Sequence, residues 1–293
     1  MELHLTARQT ALWQRLLTFT RDQLMGIALQ VETTGTVDAA TLTTLSQQFD
    51  LGHPLPDDRL SQRVLSILAL AQSTAGLAAI FASSWQVEDG LLTFGTPQQQ
   101  QRYLSQPRLF GLAAMPDRVT MSSSVKATPI TTGWQLSGTV RAVLNTQQAT
   151  DYLVLAQTPP DAAGAFVIAA DQPGVSVINP VTPLGLRGMT IADLQLTDVQ
   201  VTAANQIGQL GQGDLVLRRA QSLGQLFSGA LTAGIWQHAT DQVRQLSLTE
   251  QPPLMALAPV LALTSALQTS VFNAAQQADD GRVFAEAAQL AAL

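Results

Sequence analysis

The fold is decided by the stretch Gly133-Trp-Gln-Leu-Ser-Gly-Thr-Val-Arg-Ala-Val-Leu144, in which apolar or small side chains recur at every second position. A period of two places one set of side chains on a single, buried face of a β-strand. A similar pattern returns in Asp193-Leu-Gln-Leu-Thr-Asp-Val-Gln-Val201, and turn residues such as Gln172-Pro-Gly174 separate the runs. We therefore predict a small antiparallel β domain between about Phe110 and Gly208.

Helical patterns precede this region. Apolar residues at helical spacing predict a helix over residues 6–20, and Asp38 is the expected N-cap of a helix that ends near Phe49. The segment 63–85 is apolar and rich in Ala and Ser, which predicts one long helix buried on most faces. The stretch Thr96-Pro-Gln-Gln99 has the spelling of a capping box with proline in the first turn, and it predicts a further helix start.

Helical patterns also follow the β region. We predict a long helix over residues 214–246, a second over 253–279, and the beginning of a third over 284–293. The sequence thus predicts an α+β fold with a helical domain on each side of the sheet. The expected domains are an N-terminal helical domain (1–107), a middle β domain (108–206) and a C-terminal helical domain (207–293).

Composition excludes several classes of function. The net charge of −6 and the pI near 4.9 argue against nucleic-acid binding, which needs a basic face. The absence of cysteine excludes thiol catalysis, thiolate metal sites and disulfides. No apolar run is long enough to span a bilayer, and the N-terminus does not read as a signal peptide, so we expect a cytoplasmic protein. The three histidines, His4, His53 and His238, are not spaced in the sequence as metal ligands are, so we expect no metal site.

A series of short motifs resembles the acyl-CoA dehydrogenase family. The segment Phe94-Gly-Thr-Pro-Gln-Gln-Gln-Gln-Arg-Tyr-Leu104 is similar to the one that precedes the β domain in that family. Further resemblances follow in the family's order, and together they span roughly residues 90–215: Gly133–Gly138, Ala149–Gln157, Pro173-Gly-Val175, Leu184–Arg187, Asp198–Val201 with Ile207-Gly208, and Gly211-Gln-Gly213. The resemblance implies the same three-part architecture, with a C-terminal helical domain that is shortened here.

The resemblance implies a flavoenzyme that uses FAD to remove two hydrogens across Cα–Cβ of an acyl-CoA thioester. In such an enzyme a glutamate takes the α-proton and the flavin accepts the hydride. By position, the backbone N–H groups of Ala113 and Ala114 are the candidate donors to the flavin. Arg187 either touches the flavin edge or an adjacent loop, or it is a turn arginine paired with an acid.

The sequence departs from the family at the positions that carry this chemistry. The aromatic residue that lies against the flavin corresponds to Ala142, and the two threonines that bind the ring correspond to Ala114 and Leu144. In most of the family the catalytic glutamate lies near the end of the C-terminal helical domain, and we expect that base to be absent here. The resemblance places the family's alternative base, on the first long C-terminal helix, at Gly224, which cannot accept a proton, and Asp214 lies almost three turns away. We therefore assign no catalytic residue and expect weak FAD binding or none.

Other polar residues have ordinary alternatives. Ser122, Ser123 and Ser124 can bind a phosphate or simply form a loop, and we favour the loop. His238 can act as a base or be a partly exposed helix residue, and we favour the latter. Trp134 and Trp236 are expected in a core or an interface.

Two hypotheses about function follow. The first is an FAD-dependent acyl-CoA dehydrogenase whose base comes from another chain or is not needed. The second is a non-catalytic relative that serves as a binding or partner subunit. Because the shortened helical domain leaves apolar faces uncovered, we expect at least a homodimer, or an assembly with a full-length paralogue.

Overall fold

A computed structural model describes residues 5–52, 59–114, 124–159, 162–250 and 254–281. The helices lie on either side of a sheet in the chain, as the sequence predicts. The helices are α1 (Ala7–Phe19), α2 (Met25–Thr34), α3 (Ala39–Gln48), α4 (Leu60–Leu70), α5 (Ala75–Phe94), α6 (Pro97–Leu104), α7 (Gly213–Glu250) and α8 (Leu254–Asp279). A π-helical turn, Thr20–Leu24, joins α1 to α2.

The sheet contains eight strands: β1 (Phe110–Ala113), β2 (Val125–Ile130), β3 (Gly133–Leu144), β4 (Asp151–Thr158), β5 (Ala162–Ala169), β6 (Val175–Val181), β7 (Ile191–Val201) and β8 (Gln206–Ile207). Their order is β6-β7-β3-β2-β4-β5-β8, and β1 also pairs with β4. Most neighbouring strands pair antiparallel, as predicted, but β1 and β2 both pair with β4 in parallel, so the sheet is mixed. Strands β1 and β2 lie one after the other along the same edge of β4, and both run in the direction of β4.

The stretch that decides the fold forms β3, but its alternation is interrupted. Leu136 and Val140 are buried as the period of two requires. Beyond Val140 the register against β7 shifts, so that Val143 rather than Ala142 enters the core. Ala142 is exposed and has a positive φ of 51°. An extra residue in a strand turns the following side chains to the opposite face, which explains the difference.

Two of the predicted helix starts are confirmed by their hydrogen bonds. The Asp38 carboxylate accepts from the N–H of Thr41 at 2.7 Å at the start of α3. At the start of α6, Thr96 and Gln99 form the reciprocal bonds of a capping box. The carboxylate bond at Asp38 also holds the pKa of that group below its usual value.

The prediction of one helix over residues 63–85 is wrong, because the chain breaks it into α4 and α5 at 71–74. At the end of α4 the side chains of Gln72 and Ser73 donate to the carbonyl oxygens of Leu68 and Leu70, bonds that compete with continuation of the helix. Gly76, in the first turn of α5, packs so closely on the loop after β6 that a Cβ there would overlap the carbonyl oxygen of Arg187. The helices predicted at 214–246 and 253–279 correspond to α7 and α8, while the one predicted at 284–293 lies outside the described residues.

The helices from before and after the sheet share one hydrophobic core. Its members include Leu65 and Leu68 of α4, Phe227 of α7 and Phe272 of α8. Trp85 of α5 lies in this core between the rings of Phe81 and Phe227, with centroids 6.1 and 5.9 Å away. The sheet has a separate core around residues such as Leu136 and Phe166. Among the described helices none has the length and hydropathy needed to cross a membrane.

Candidate functional site

The turn between β3 and β4 connects the sheet to the helical core. Asn145 opens this turn with φ of 61° and is fully buried. Its Nδ2 group donates to the carbonyl oxygens of Ile80 in α5, at 2.8 Å, and Phe110 in β1, at 3.1 Å. In addition, the Phe110 N–H donates to the Ser84 hydroxyl of α5 at 3.0 Å. The end of β3, the start of β1 and the middle of α5 are therefore held together by polar contacts.

Three buried polar atoms near this junction have no hydrogen-bond partner among the described residues. They are Asn145 Oδ1, the Thr146 hydroxyl and the Ser83 hydroxyl. An unpartnered buried polar group costs about 1–3 kcal/mol, so such atoms call for an explanation. By contrast, the Thr146 carbonyl is satisfied, since the Tyr152 hydroxyl donates to it at 2.6 Å, and burial raises the pKa of that phenol.

The first two candidate residues of the sequence, Ala113 and Ala114, lie at the end of β1, three and four positions after Phe110. Ala113 is fully buried and stands opposite Val154 in the parallel β1–β4 pair. Ala114 is the last described residue before the gap at 115–123, and it is also buried. Their side chains offer methyl groups only, so any polar contact from them must come from the backbone.

Arg187, the third candidate residue, binds the helical region. Its Nε donates to the carbonyl oxygen of Glu32 and its Nη2 to that of Thr33 at 3.2 Å, both in the last turn of α2. The Glu32 carboxylate lies 3.8 Å from its Nε. A cation at a helix C-terminus neutralises the last carbonyls and is stabilised by the helix dipole. These contacts join the loop after β6 to the end of α2.

The positions compared with the family's catalytic base carry no free carboxylate in the part of the chain described. Gly224 of α7 faces Gln86 of α5, whose Oε1 would lie 3.4 Å from a Cβ at position 224. The next acidic residues of α5 are engaged elsewhere. Glu88 is fully buried and paired with Arg63 at 3.0 Å, and Asp89 is paired with Arg219. Asp214 lies exposed in the first turn of α7.

The position compared with the family's flavin-facing aromatic also has a different role. The Ala142 N–H donates to Asp193 Oδ1 at 3.0 Å, and Asn179 Nδ2 donates to Oδ2 of the same carboxylate at 3.1 Å. The bond from Asn179, with the one from Ala142, holds the pKa of Asp193 below its usual value. Asp193 therefore fixes the bulge that exposes Ala142. Leu144, two residues on, packs against the helical core.

The remaining candidates have ordinary surroundings or lie outside the described residues. The Ser124 hydroxyl donates to the carbonyl of Thr139 in β3, and His238 is partly exposed on α7. Ser122, Ser123, His4 and His53 lie outside the described residues. Within the described ranges no group of His, Asp or Glu side chains is arranged to hold a metal ion.

Sequence reasoning missed two residues that the structure brings to the junction. Asn145 and Thr146 directly follow the positions Ala142 to Leu144 in the sequence, and no role was assigned to them from the sequence. The available signal was an asparagine at the end of a strand, because asparagine is enriched at positive φ. Gln86 carried no signal, since only the packing of α5 on α7 places it opposite Gly224.

Comparison with known proteins gives related sequences and folds. No protein-family model matches the chain. A probable acyl-CoA dehydrogenase of Bacillus subtilis, YngJ, is 25% identical over 262 residues, which are 82% of this chain and 68% of that protein. A mitochondrial 2-methylacyl-CoA dehydrogenase of Solanum tuberosum is 30% identical over 216 residues, 66% of this chain and 52% of that protein. Other curated relatives are matched over as little as 37% of their length.

The fold is found among solved structures as well. Butyryl-CoA dehydrogenase from Megasphaera elsdenii superposes with a TM-score of 0.91 at 20% sequence identity. The superposition covers 99% of this chain and 84% of that chain. At 20% identity this similarity shows a shared fold and does not by itself show a shared function.

Proposed function

Because this chain is a divergent relative of the acyl-CoA dehydrogenases and has their fold, we propose that it keeps their scaffold without their dehydrogenase chemistry. It acts as a binding or partner subunit. The observation that carries the proposal is the pair formed by Gly224 and Gln86. Where a relative can place a carboxylate, this chain has a glycine opposite an amide, and an amide cannot take a proton from carbon.

The neighbouring carboxylates do not substitute for this base. Glu88 is held by Arg63 in the core, and Asp89 is held by two bonds from Arg219. The bonds that Arg219 donates to Asp89 raise the pKa of the guanidinium. Because each of the two carboxylates is bound by an arginine, neither is positioned as a free base.

The side chains at the expected flavin positions fit FAD poorly. A flavin needs an apolar wall and donors to its ring. Ala142 is exposed, has a positive φ and carries no ring, and its N–H is already bonded to Asp193. Ala114 and Leu144 supply no hydroxyl. Among the candidate positions that the structure describes, Ala113 and Ala114 offer only backbone N–H groups, and Arg187 is engaged with the carbonyl oxygens of Glu32 and Thr33.

A second candidate function is an FAD-dependent acyl-CoA dehydrogenase. The observation that favours it is the set of buried, unpartnered polar atoms on Asn145, Thr146 and Ser83. Asn145 lies at the junction of β3, β1 and α5, Thr146 follows it in the turn and Ser83 precedes Ser84 in α5, and a bound ligand would satisfy their unpartnered atoms.

We also propose that the chain forms a homo-oligomer, because α7 and α8 expose uncharged, apolar surface to water. The segment Ala220–Thr240 of α7 and the segment Leu254–Ala278 of α8 contain no Asp, Glu, Lys or Arg. Apolar side chains on these helices are nevertheless exposed, Leu263 by 59%, Ile235 by 44% and Trp236 by 42%. A second copy fits this face, because a two-fold contact places like residues together and neutral faces do not repel.

One experiment separates the two candidates. The purified protein is incubated with FAD and then dialysed against buffer, and the flavin absorbance that remains is measured. Acyl-CoA oxidation by the same sample is followed with an artificial electron acceptor. We expect less than stoichiometric flavin and no oxidation above that of the Gly224→Ala variant. Stoichiometric FAD together with turnover would overturn the proposal and establish the dehydrogenase.

A further inference from the structure

The helices α7 and α8 carry few features that would fix their position along one another. The stretches 220–240 and 254–278 contain no Asp, Glu, Lys or Arg, so no ion pair between them can set the register of the two helices. Phe227 of α7 and Phe272 of α8 join the shared helical core. Apolar burial is non-directional, however, and a core loses its unique arrangement before it loses its stability. A single register therefore needs directional contacts.

Two hydrogen bonds between polar side chains cross from α7 to α8. The hydroxyls of Thr240 and Thr264 lie 3.2 Å apart, and both side chains are buried. One turn away, Nε2 of the buried Gln268 donates to Oε1 of Gln237 at 3.0 Å. The order of these residues along α7 is the reverse of their order along α8, so both bonds belong to one antiparallel register.

Both pairs are also bonded within their own helices, and this fixes the direction of each bond. The Thr264 hydroxyl donates to the Val260 carbonyl at 2.8 Å, so it accepts the proton of its partner threonine. Nε2 of Gln237 donates to Asp241 Oδ2 at 2.8 Å, which leaves its Oε1 to accept the bond from α8. The groups that meet between the helices thus have defined donor and acceptor roles.

A slip of one helical turn would break this arrangement in either direction. In one direction Gln237 comes opposite Thr264, while Thr240 and Gln268 lose their partners. In the other direction Thr240 comes opposite Gln268, while Gln237 and Thr264 lose theirs. A buried polar group that loses its partner is not compensated by water, so each slipped register is disfavoured.

The register of α8 determines a contact at the far end of that helix. Asp279 lies roughly 22 Å beyond Thr264, at a rise of 1.5 Å per residue. Its carboxylate accepts from the N–H groups of Leu60 and Ser61, at 2.7 and 3.1 Å, in the first turn of α4. Such first-turn donors have no partner within their own helix. A slip of one turn, about 5.4 Å, would carry the carboxylate out of reach of both.

We propose that the Thr240–Thr264 and Gln237–Gln268 pairs form a register lock, which holds α8 where Asp279 can cap α4. The lock provides specificity rather than stability. Replacing both partners of a buried polar pair with apolar groups of similar shape is often neutral or stabilising, and fixing a register is the best-attested role of such groups. The lock is independent of the scaffold function proposed above, because it lies within one chain and uses neither the β3–β4 junction nor the Gln86–Gly224 contact.

The test combines urea denaturation with amide hydrogen exchange, measured residue by residue by NMR on the full chain. The variant Thr240→Val/Thr264→Val/Gln237→Leu/Gln268→Leu removes both partners of each pair. We expect its urea midpoint to equal or exceed that of the parent. The two α4 amides that bind Asp279 are expected to exchange at least tenfold faster, because slipped registers leave them uncapped.

Two controls accompany this variant. Thr232→Val/Gln225→Leu makes the same chemical changes at exposed positions of α7 and is expected to leave the exchange of the α4 amides unchanged. Asp279→Ala removes the cap itself and gives the exchange rate of the uncapped helix start.

Two outcomes would overturn the register lock. Parent-like exchange in the fourfold variant would show that apolar packing alone sets the register. A fall in urea midpoint large enough to explain faster exchange would show that the pairs are ordinary stabilising contacts. If the fourfold variant does not fold, Thr240→Val/Thr264→Val, which keeps the shape of both side chains, is measured instead. We expect at least threefold faster exchange at an unchanged midpoint, and a parent-like rate would overturn the proposal.

Discussion

Gln86 of α5 and Gly224 of α7 face one another, and the amide oxygen of the glutamine would stand 3.4 Å from a Cβ on the glycine. The two helices belong to segments that lie on opposite sides of the sheet in the chain, and their approach forms part of the shared helical core. The contact between Gln86 and Gly224 therefore shows how α5 packs on α7, and it also shows which side chain faces the position compared with the family's catalytic base.

The glycines of α7 are expected to differ in their response to alanine. At Gly224 the nearest atoms belong to the movable end of Gln86, so Gly224→Ala should stabilise the protein by about 0.5–1 kcal/mol through helix propensity. At Gly234 a Cβ would lie 2.7 Å from the Ala71 Cβ and 2.8 Å from the Leu68 carbonyl oxygen, so Gly234→Ala should destabilise it by about 1–3 kcal/mol. Urea denaturation of both variants measures this, and shifts of the same sign would contradict the packing described.

Arg187→Gln is expected to destabilise the fold by about 1.5–3 kcal/mol, because charge-assisted bonds to the carbonyls of Glu32 and Thr33 are lost. Arg218→Gln, at an exposed arginine of α7, is the matched control and should stay within about 0.5 kcal/mol of the parent. Thermal unfolding and FAD titration are measured together. A variant of unchanged stability with altered flavin affinity would assign Arg187 to the cofactor instead.

The bulge at Ala142 should be sensitive to acid. Bonds from Asn179 and Ala142 lower the pKa of Asp193, so its ionised form stabilises the folded state. This contribution is complete above the carboxyl's unfolded pKa of about 3.9 and is lost as pH falls through the lower folded value. Asp193→Asn should therefore be less stable than the parent at neutral pH, and the difference should shrink in acid. A difference that stays constant from neutral pH to strong acid would contradict the role given to this carboxylate.

The neutral outer face of α7 and α8 should hold two copies together. Light scattering is expected to give at least a dimer, and Leu263→Glu or Trp236→Glu should shift it toward the monomer, because a charge would be buried twice in a two-fold contact. Leu29→Glu is the control, since Leu29 is 77% exposed on α2, away from this face. A parent protein that is monomeric at micromolar concentration would refute the assembly.

Features with a local cause were predictable from the sequence. The caps at Asp38 and Thr96 depend on residues three positions apart, and the strands and long helices depend on periodicity. Features with a distant cause were not. Gly76 meets the Arg187 carbonyl only through the packing of α5 on a loop of the sheet, and the outward turn of Ala142 arises from a register shift against β7.

The same distinction applies to the candidate site. Comparison with the motifs of the acyl-CoA dehydrogenase family identified positions where this sequence carries a different residue: Ala142, Leu144 and Gly224. The partners that these positions acquired could not be read, because the bond from Ala142 to Asp193 spans 51 residues and Gln86 meets Gly224 across two helices. For Arg187, the sequence left two interpretations open, one of which was pairing with an acid. It did not indicate that the nearby acid would be Glu32.

The first turn of α4 depends on a carboxylate from the far end of the described chain. The Leu60 and Ser61 N–H groups donate to Asp279 at 2.7 and 3.1 Å, across separations of 219 and 218 residues. Contacts of such long range slow the search for the native state. During synthesis, the part of α4 that packs against α7 and α8 stays unburied until those two helices have left the ribosome. We therefore expect the newly made chain to depend on chaperones for longer than a protein whose N-terminal helices close their own core.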